Sequence, residues 1–306
     1  MQKCNLNARL MGSDFELIVC AASEQDGQRL LDIGVQEIKR LEALLTEFND
    51  VSETGRINAN AGSQSVTVSS EVFQLIQRCL HLSRLTQGAF DITAGMLKAL
   101  YPFKQPSLQL PQEAVILEAL TRTGYHHILL GPDNEVMLKE RGCRIGFGAI
   151  GKGYAADSVK RLWQHLGVTS GVVNASGDLT AWGLQPDGQP WKVGIANPAN
   201  PDNILLWLPV DNASVATSGN YEQYFEVAGT RYSHNIDPRT GKPARWLQSV
   251  TIVSPSAELS DALATAVTVM GISVGLDLVD QIPHVHALII DEHNQVHTSK
   301  KIKAYA

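Results

Sequence analysis

The stretch from residue 146 to residue 198 constrains the fold more than any other part of this chain. It opens with the loop GFGAIGKGYAAD at residues 146–157, and apolar residues then recur at helical spacing from Gly153 to Leu166. The residues that follow, GVVNASGDLTAWGLQPDGQPWKVGIANP, contain three strand-like runs separated by Gly, Asp and Pro, with no helical pattern between them. Because strands joined by tight turns pair antiparallel, the sequence predicts an α+β fold built on antiparallel sheets with packed helices.

Helices and strands are also predicted on both sides of this stretch. Apolar spacing from Leu31 to Phe48 predicts a long helix with one buried face, and further helices are predicted after Ser69 or Ser70 and from Pro111. Strands are predicted at 15–20, 204–210, 221–227, 231–235 and 249–253, and helices near 261–270 and 274–281. Since no repeat or clear linker is visible, residues 1–306 are expected to form one compact unit, with two lobes as the alternative.

The glycine loop matches two phosphate-binding patterns at once. Residues 146–151 spell G-x-G-x-x-G, as in dinucleotide-binding domains, and residues 146–152 spell G-x-x-x-x-G-K, as in P-loop proteins. The first pattern needs a parallel strand that ends in an acid about 20 residues later, but the next strand ends at Asn174 and leads into hairpins. The second needs a hydroxyl after the lysine, where this chain has Gly153. Neither fold is therefore expected, although N–H groups at a helix start could still attract an anion.

Composition and charge exclude several classes of function. The 306 residues are 44% hydrophobic and 18% charged, and 25 basic against 31 acidic residues leave a net charge of −6 without a long basic run, which argues against nucleic-acid partners. Four cysteines without a C-x-x-C pair argue against a zinc site. No apolar run reaches the roughly 18 residues of a transmembrane segment. The expected location is the cytoplasm for the sequence as given, or the periplasm as a membrane-anchored lipoprotein if a leader has been removed.

Two further stretches contain residues that could bind a metal ion or transfer a proton. Asp261 and Thr265 stand four apart, on one face of a predicted helix, and two hard oxygens there suit Mg²⁺ or Ca²⁺. In this stretch alone the more common meaning is structural, with Asp261 or Ser260 capping the helix. His234 leaves a predicted strand just before the turn at 237–241, where an imidazole is well placed for proton transfer.

Seven ordered blocks carry a resemblance that covers residues 10–271. They are LMGS (10–13), GAFDITAG (88–95), GFGAIGKGYAAD (146–157), VNASGDL (173–179), TSGNYEQYF (217–225), HNIDPRTGKPA (234–244) and SDALATAVTVMG (260–271). Together they resemble the ApbE family of FAD:protein FMN transferases, whose α+β, T-fold-like unit agrees with the predicted hairpins. The resemblance implies that the protein binds FAD and Mg²⁺, cleaves the FAD pyrophosphate, and transfers FMN to a threonine hydroxyl of a partner protein with release of AMP.

The resemblance also implies roles for individual residues. Asp261 and Thr265 match the family's magnesium ligands, and the backbone carbonyl of Ala149 matches a third, which replaces the capping interpretation. His234 matches a position that lines the FAD site and is the candidate general base. The other residues that match or border that site are Met11, Phe48, Ala89, Phe90, Asp91, Gly146, Lys152, Ser218 and Gly219.

This chain departs from the family pattern at several positions. Gly146 stands where the family usually has an acid, Ile92 where proline is common, Ser176 where glycine is common, and Gln223 where arginine is common. The missing charge at Gly146 keeps two alternatives open: an FAD-binding protein without transferase turnover, and a magnesium-dependent FAD pyrophosphatase that gives FMN and AMP. If the site is degenerate, Gly146→Asp is expected to raise FAD affinity or rate.

Overall fold

The computed structural model describes residues 1–101, 110–197, 200–210, 212–219, 224–227, 230–244, 247–300 and 302. In chain order the strands are β1 (Gln2–Leu10), β2 (Ser13–Ala21), β3 (Val66–Thr67), β4 (Ile128–Leu130), β5 (Glu135–Leu138), β6 (Gly171–Ala175), β7 (Asp178–Trp182), β8 (Trp191–Asn197), β9 (Asn200–Val210), β10 (Ala213–Gly219), β11 (Tyr224–Val227), β12 (Thr230–Ser233), β13 (Ser249–Ser254), β14 (His286–Ile290) and β15 (Val296–Thr298). The helices are α1 (Glu24–Leu45), α2 (Glu53–Ala59), α3 (Ser70–Leu85), α4 (Gly95–Lys98), α5 (Glu113–Leu120), α6 (Gly151–His165), α7 (Ala257–Met270) and α8 (Ile272–Gln281).

An eight-stranded sheet forms the centre of the fold, in the order β1-β2-β6-β7-β10-β13-β14-β15. Every neighbouring pair in this sheet is antiparallel. Three smaller sheets, β3-β5-β4, β8-β9 and β11-β12, complete the described strands. The α+β prediction is therefore confirmed, and the strand that follows α6 pairs antiparallel with both of its neighbours, which excludes a dinucleotide-binding βαβ unit.

The central sheet is covered on both faces, as alternating residues of β2 show. Leu17 and Val19 belong to the core formed with α1 and α6, whereas Ile18 and Cys20 pack with residues of the β8–β9 hairpin. This alternation follows from the two-residue side-chain period of a strand. Helices thus lie on one face of the sheet and a hairpin on the other.

Two buried contacts fix α6 against its neighbouring helices. The indole N–H of Trp163 donates a hydrogen bond of 2.8 Å to the carbonyl of Leu30, which joins α6 to α1. The buried carboxylate of Asp157 accepts from the N–H groups of Ala257 (3.0 Å) and Glu258 (2.9 Å) at the first turn of α7. An acid at a helix N-terminus is favourable because the macrodipole is positive there. The glycine loop before α6 is thereby held beside α7.

Several expectations are corrected by the structure. Helix α1 ends at Leu45, so Phe48 lies beyond it and is 91% exposed instead of belonging to the buried face. Helix α7 begins at Ala257 with Ser256 as its N-cap, so neither Ser260 nor Asp261 caps it, and both are buried inside the helix. Of the strand predicted at 221–227, residues 221–223 lie outside the described residues.

The described helices and the four cysteines bear on membrane insertion and on disulfide bonding. Within the described ranges, no helix is long and apolar enough to span a bilayer. Cys20, Cys79 and Cys143 are buried, Cys4 is partly buried, and all four are free thiols. Buried free thiols of this kind pack as small apolar side chains.

Candidate active site

A cavity of about 800 Å³ opens where the glycine loop before α6 meets α7 and the end of β10. Its wall contains most of the residues that the sequence singled out: Phe48, Ala89, Phe90, Asp91, Gly146, Ala149, Lys152, Ser218, Gly219, His234, Asp261 and Thr265. A groove along the exposed side of α1 is larger, at about 1210 Å³, but it is shallow and contains none of these residues. The fold thus brings residues that lie more than 200 positions apart to one concave site.

Met11 and Phe48 take different positions relative to this cavity. Met11 occupies the tight turn between β1 and β2 at a φ of 49°, and a Cβ placed on Gly151 would lie 3.7 Å from its methyl carbon. Met11 is not part of the cavity wall. Phe48 lines the rim, where its ring is open to solvent.

A buried charged cluster lies at the floor of the cavity. Asp178 and Asp261 are only 4% and 6% exposed, and the ammonium group of Lys152 forms a close ion pair with Asp178. Burial, together with the nearby Asp178, raises the pKa of Asp261 to about 8, and the charge of Lys152 opposes the rise. Burial likewise raises the pKa of Asp178, against the charge of Lys152. Two carboxylates share the charge of Lys152, so this cluster favours an added proton or cation.

The oxygen donors that line the cavity together with Asp261 are of the kind that Mg²⁺ prefers. The N–H of Gly153 donates to one carboxylate oxygen of Asp261 at 3.1 Å, and Thr265 and Ala149 line the same cavity. A carboxylate, a hydroxyl and a carbonyl are all hard oxygen ligands. The described part of the chain holds no group of three or more His, Cys, Asp or Glu residues arranged for a metal. A cation here would therefore depend on mixed oxygen donors, completed by water, which fits Mg²⁺ better than Zn²⁺.

The backbone of the glycine loop is largely committed to contacts within the protein. The N–H of Gly146 donates to Ile92 (2.9 Å), that of Gly151 to Phe147 (2.6 Å), and that of Gly153 to Asp261. The expected anion site formed by N–H groups at this helix start is therefore not available at these three positions. Lys152 is the group of this loop that brings positive charge to the cavity.

Gly153 also explains why this loop does not follow the P-loop pattern. A Cβ on residue 153 would overlap the carbonyl oxygen of Ala257 and lie 2.5 Å from its carbon. The first turn of α6 thus approaches the first turn of α7 too closely for any side chain. A serine or threonine could not replace Gly153 without separating the two helices.

A hydrogen-bonded turn places His234 in the cavity wall. The neighbouring Asn235 donates from its side chain to the hydroxyl of Ser218 at 3.1 Å. The carbonyl of Asp237 accepts the N–H of Gly241 at 2.8 Å, which closes the turn that follows. His234 is partly buried and faces the cavity together with Ser218. This location leaves it within the site where a proton acceptor could act.

The segment at 89–93 shapes the wall through internal bonds. Asp91 is 8% exposed and accepts from the N–H and hydroxyl of Thr93, at 2.8 and 2.7 Å, and from the N–H of Tyr125 at 2.6 Å. Phe90 is fully buried in the main core. The ring of Phe90 thus belongs to the core, and the bonds of Asp91 hold the loop in shape.

Sequence reasoning missed four charged residues of this cavity, namely Glu47, Lys98, Arg144 and Asp178. Asp178 lies in the block VNASGDL, so its acid could have been recognised beside Lys152, whereas no local signal marks Glu47 or Arg144. Gln223, where the family commonly has arginine, lies outside the described residues.

Comparisons with known proteins identify the family of this chain. The family model described as the ApbE family matches residues 11–289. A relative from Treponema pallidum (strain Nichols), named FAD:protein FMN transferase, is 33% identical over 281 residues, covering 87% of this chain and 78% of its own length. Another of that name from Klebsiella pneumoniae (strain 342) is 31% identical over 293 residues, covering 95% of this chain and 90% of the relative.

Two solved structures have nearly the same fold as this chain. The ApbE protein of Thermotoga maritima superposes with a TM-score of 0.89 at 32% identity, over 98% of this chain and 97% of that one. The apo form of the flavinyl transferase ApbE of Pseudomonas stutzeri gives a TM-score of 0.87 at 28% identity, over 98% and 95% of the two chains. Similarity thus extends over nearly the whole length of each protein.

Proposed function

This chain belongs to the ApbE family, and we propose that it is an FAD:protein FMN transferase. The reaction moves FMN from FAD to a threonine hydroxyl of an acceptor protein and releases AMP. The observation that carries the proposal is the single cavity in which Lys152, Asp178, Asp261 and His234 meet. Its volume, about 800 Å³, lies within the range of cofactor-sized sites.

The charged floor of the cavity would hold the pyrophosphate of FAD. Lys152 supplies a positive charge there, and its pairing with Asp178 keeps the ammonium group at a defined position. Because Asp178 is buried, the ion pair is screened from water less than a surface pair would be. Lys152 is thus the residue expected to orient the phosphates.

Asp261, Thr265 and the carbonyl of Ala149 would hold a Mg²⁺ ion. Gly153 fixes one oxygen of Asp261, so the carboxylate is oriented before any cation binds. When bound, Mg²⁺ would neutralise charge on the pyrophosphate. An ionised Asp261 needs a positive partner in this buried place, which is the reason the donor set suits a cation.

His234 would act as the general base for the incoming threonine. The threonine oxygen forms a bond to the flavin-side phosphorus, and the bond from this phosphorus to the bridging oxygen breaks. The hydroxyl proton passes to the imidazole, and AMP leaves with the bridging oxygen. A base positioned in this way contributes roughly 10² to 10⁴ in rate.

A direct assay tests the proposed function. Purified protein is incubated with FAD and Mg²⁺ together with an acceptor domain that natively carries FMN on a threonine and has been prepared without flavin. Covalent flavin fluorescence on the acceptor and release of AMP in equal amounts are expected. The matched control is the same acceptor with that threonine changed to valine, which should stay unlabelled.

Two other outcomes would contradict the proposal. Release of AMP and free FMN without labelling would indicate an FAD pyrophosphatase. Binding of FAD with neither product would indicate a flavin-binding protein without turnover. Replacing Mg²⁺ by EDTA tests the metal separately, since undiminished transfer would remove the metal from the mechanism.

A further inference from the structure

Gly146 leaves a space in the cavity wall that the side chain of Glu47 fills. A Cβ placed on Gly146 would lie 2.6 Å from Oε1 and 3.0 Å from Cδ of Glu47. Real side-chain atoms do not approach this closely, so Glu47 can take its position only because residue 146 is glycine. The two residues are 99 positions apart in sequence, and both line the same cavity.

A contact from the segment that carries Gly146 supports the position of Glu47. The guanidinium group of Arg144 donates to the main-chain carbonyl of Glu47 at 3.1 Å. Glu47 is partly buried; burial raises the pKa of its carboxyl group, and the charge of Arg144 opposes that rise. The segment after α1 is thereby joined to the loop that leads into α6.

Glu47 forms a polar group distinct from the charged floor of the cavity. Arg144 is the charged residue that influences Glu47, whereas Asp178 and Lys152 influence Asp261. A carboxylate repels phosphate, so Glu47 does not suit the pyrophosphate end of a dinucleotide. It suits a neutral hydrogen-bond donor, and the exposed ring of Phe48 next to it offers an aromatic surface for a heterocycle.

We propose that Glu47 binds FAD, its carboxylate occupying the space above Gly146 and accepting a hydrogen bond from an N–H group of one of the two ring systems of FAD. The inference rests on the proposed use of FAD by this site. The isoalloxazine imide and the adenine amine carry the same donor chemistry, and the experiment separates them. In this arrangement the glycine at 146 is required by the acid at 47.

The first test is a charge-neutral, isosteric replacement in the full-length protein. Glu47→Gln is expected to weaken FAD binding, measured by flavin fluorescence titration, about tenfold or more, because hydrogen bonds to charged groups are the stronger ones. The matched control is Asp50→Asn, which removes the same charge three residues away from a side chain that does not line the cavity. Equal affinities of Glu47→Gln and Asp50→Asn would overturn the proposal.

Competition of FMN and of AMP with FAD shows which of the two ring systems Glu47 binds. If Glu47 binds the flavin, Glu47→Gln weakens FMN and leaves AMP unchanged, and if it binds adenine the pattern is reversed. Either selective loss supports the proposal. An equal loss for both ligands would indicate a general disturbance of the cavity and would count against it.

The second test exploits the contact between the two residues. Gly146→Ala is expected to weaken FAD binding in the wild-type background, because the methyl group displaces the carboxylate, and to have no further effect beside Glu47→Ala. Gly146→Asp combined with Glu47→Ala returns a carboxylate to the same space and should recover at least about threefold of the lost affinity. Additive effects of the alanine pair, or no recovery with aspartate, would contradict the proposed contact. Melting temperatures confirm that each variant is folded.

These tests distinguish failure of the inference from failure of the proposed function. Wild-type protein that labels the acceptor while Glu47→Gln binds FAD normally refutes only the role of Glu47. Wild-type protein that binds FAD through Glu47 without labelling the acceptor refutes only the transferase proposal. Under this proposal Gly146→Asp alone is expected to lower FAD affinity, because its carboxylate would meet that of Glu47.

Discussion

Replacing Gly153 by alanine tests the close approach of α6 to α7 on which the proposed metal site depends. The new Cβ would overlap the carbonyl oxygen of Ala257 and lie 2.8 Å from the N atom of Glu258. These are main-chain atoms of a helix start whose N–H groups are also bonded to Asp157, so they cannot move aside as a flexible side chain could. Overpacking costs about 1–3 kcal/mol. Losing the hydrogen bond from Gly153 to Asp261 adds about 1 kcal/mol.

The free energy of unfolding is therefore expected to fall by about 3 kcal/mol, which urea denaturation measures directly. The melting temperature should fall by roughly 5 °C or more. Gly148→Ala is the matched control, because a Cβ there meets nothing within 4 Å and its φ is not positive. Gly153→Ala should also lose the thermal stabilisation by Mg²⁺ that the control keeps. If the two variants unfold with the same free energy, the close helix contact is not what requires glycine at 153.

Three further predictions concern buried or reactive groups. Asp157→Ala leaves two N–H groups at the start of α7 without their acceptor and is expected to lower the free energy of unfolding by about 2–4 kcal/mol in urea; a loss below about 1 kcal/mol would contradict that role. Because folding raises the pKa of Asp261 from 3.8 to about 8, the folded state binds its proton more tightly, and metal-free wild-type protein should lose stability relative to Asp261→Asn as pH rises from about 4 to about 8. If the melting temperatures of these two proteins in EDTA change in parallel between pH 5 and pH 9, the prediction is wrong. His234→Gln is expected to lower kcat for FMN transfer about 10²-fold or more while KM for FAD changes little, and an unchanged kcat would exclude His234 as the base.

Local patterns were sufficient for most elements of the fold. The helical spacing from Leu31 onward and the turn residues after Gly171 predict α1 and the antiparallel strands, because the side-chain periods of 3.6 and 2 are properties of neighbouring residues. The pattern failed at Phe48, which continues the apolar spacing although α1 has already ended at Leu45. The spacing of apolar residues shows which side chains would lie on one face of a helix. It does not show where the helix ends.

The order of the strands required the tertiary structure. Strand β10 lies between β7 and β13, neither of which is next to it along the chain. Such pairings depend on which buried faces fit together across long separations, and no window of sequence contains that information. The same holds for the cavity, because its wall combines the start of β7 and the end of β10 with the glycine loop, α4 and α7, which are far apart in sequence.

The sequence by itself determined the antiparallel α+β architecture, the glycine loop before a helix, and the family to which these belong. The positions of the acidic residues Asp178 and Glu47 in the site became known only from the tertiary structure. Asp178 meets Lys152 across 26 residues, and Glu47 fills the space above Gly146 across 99 residues, where the linear pattern showed only a missing charge. The physical reason is that a carboxylate acts through its position and surroundings, and a fold can supply it from any segment that packing brings to the site.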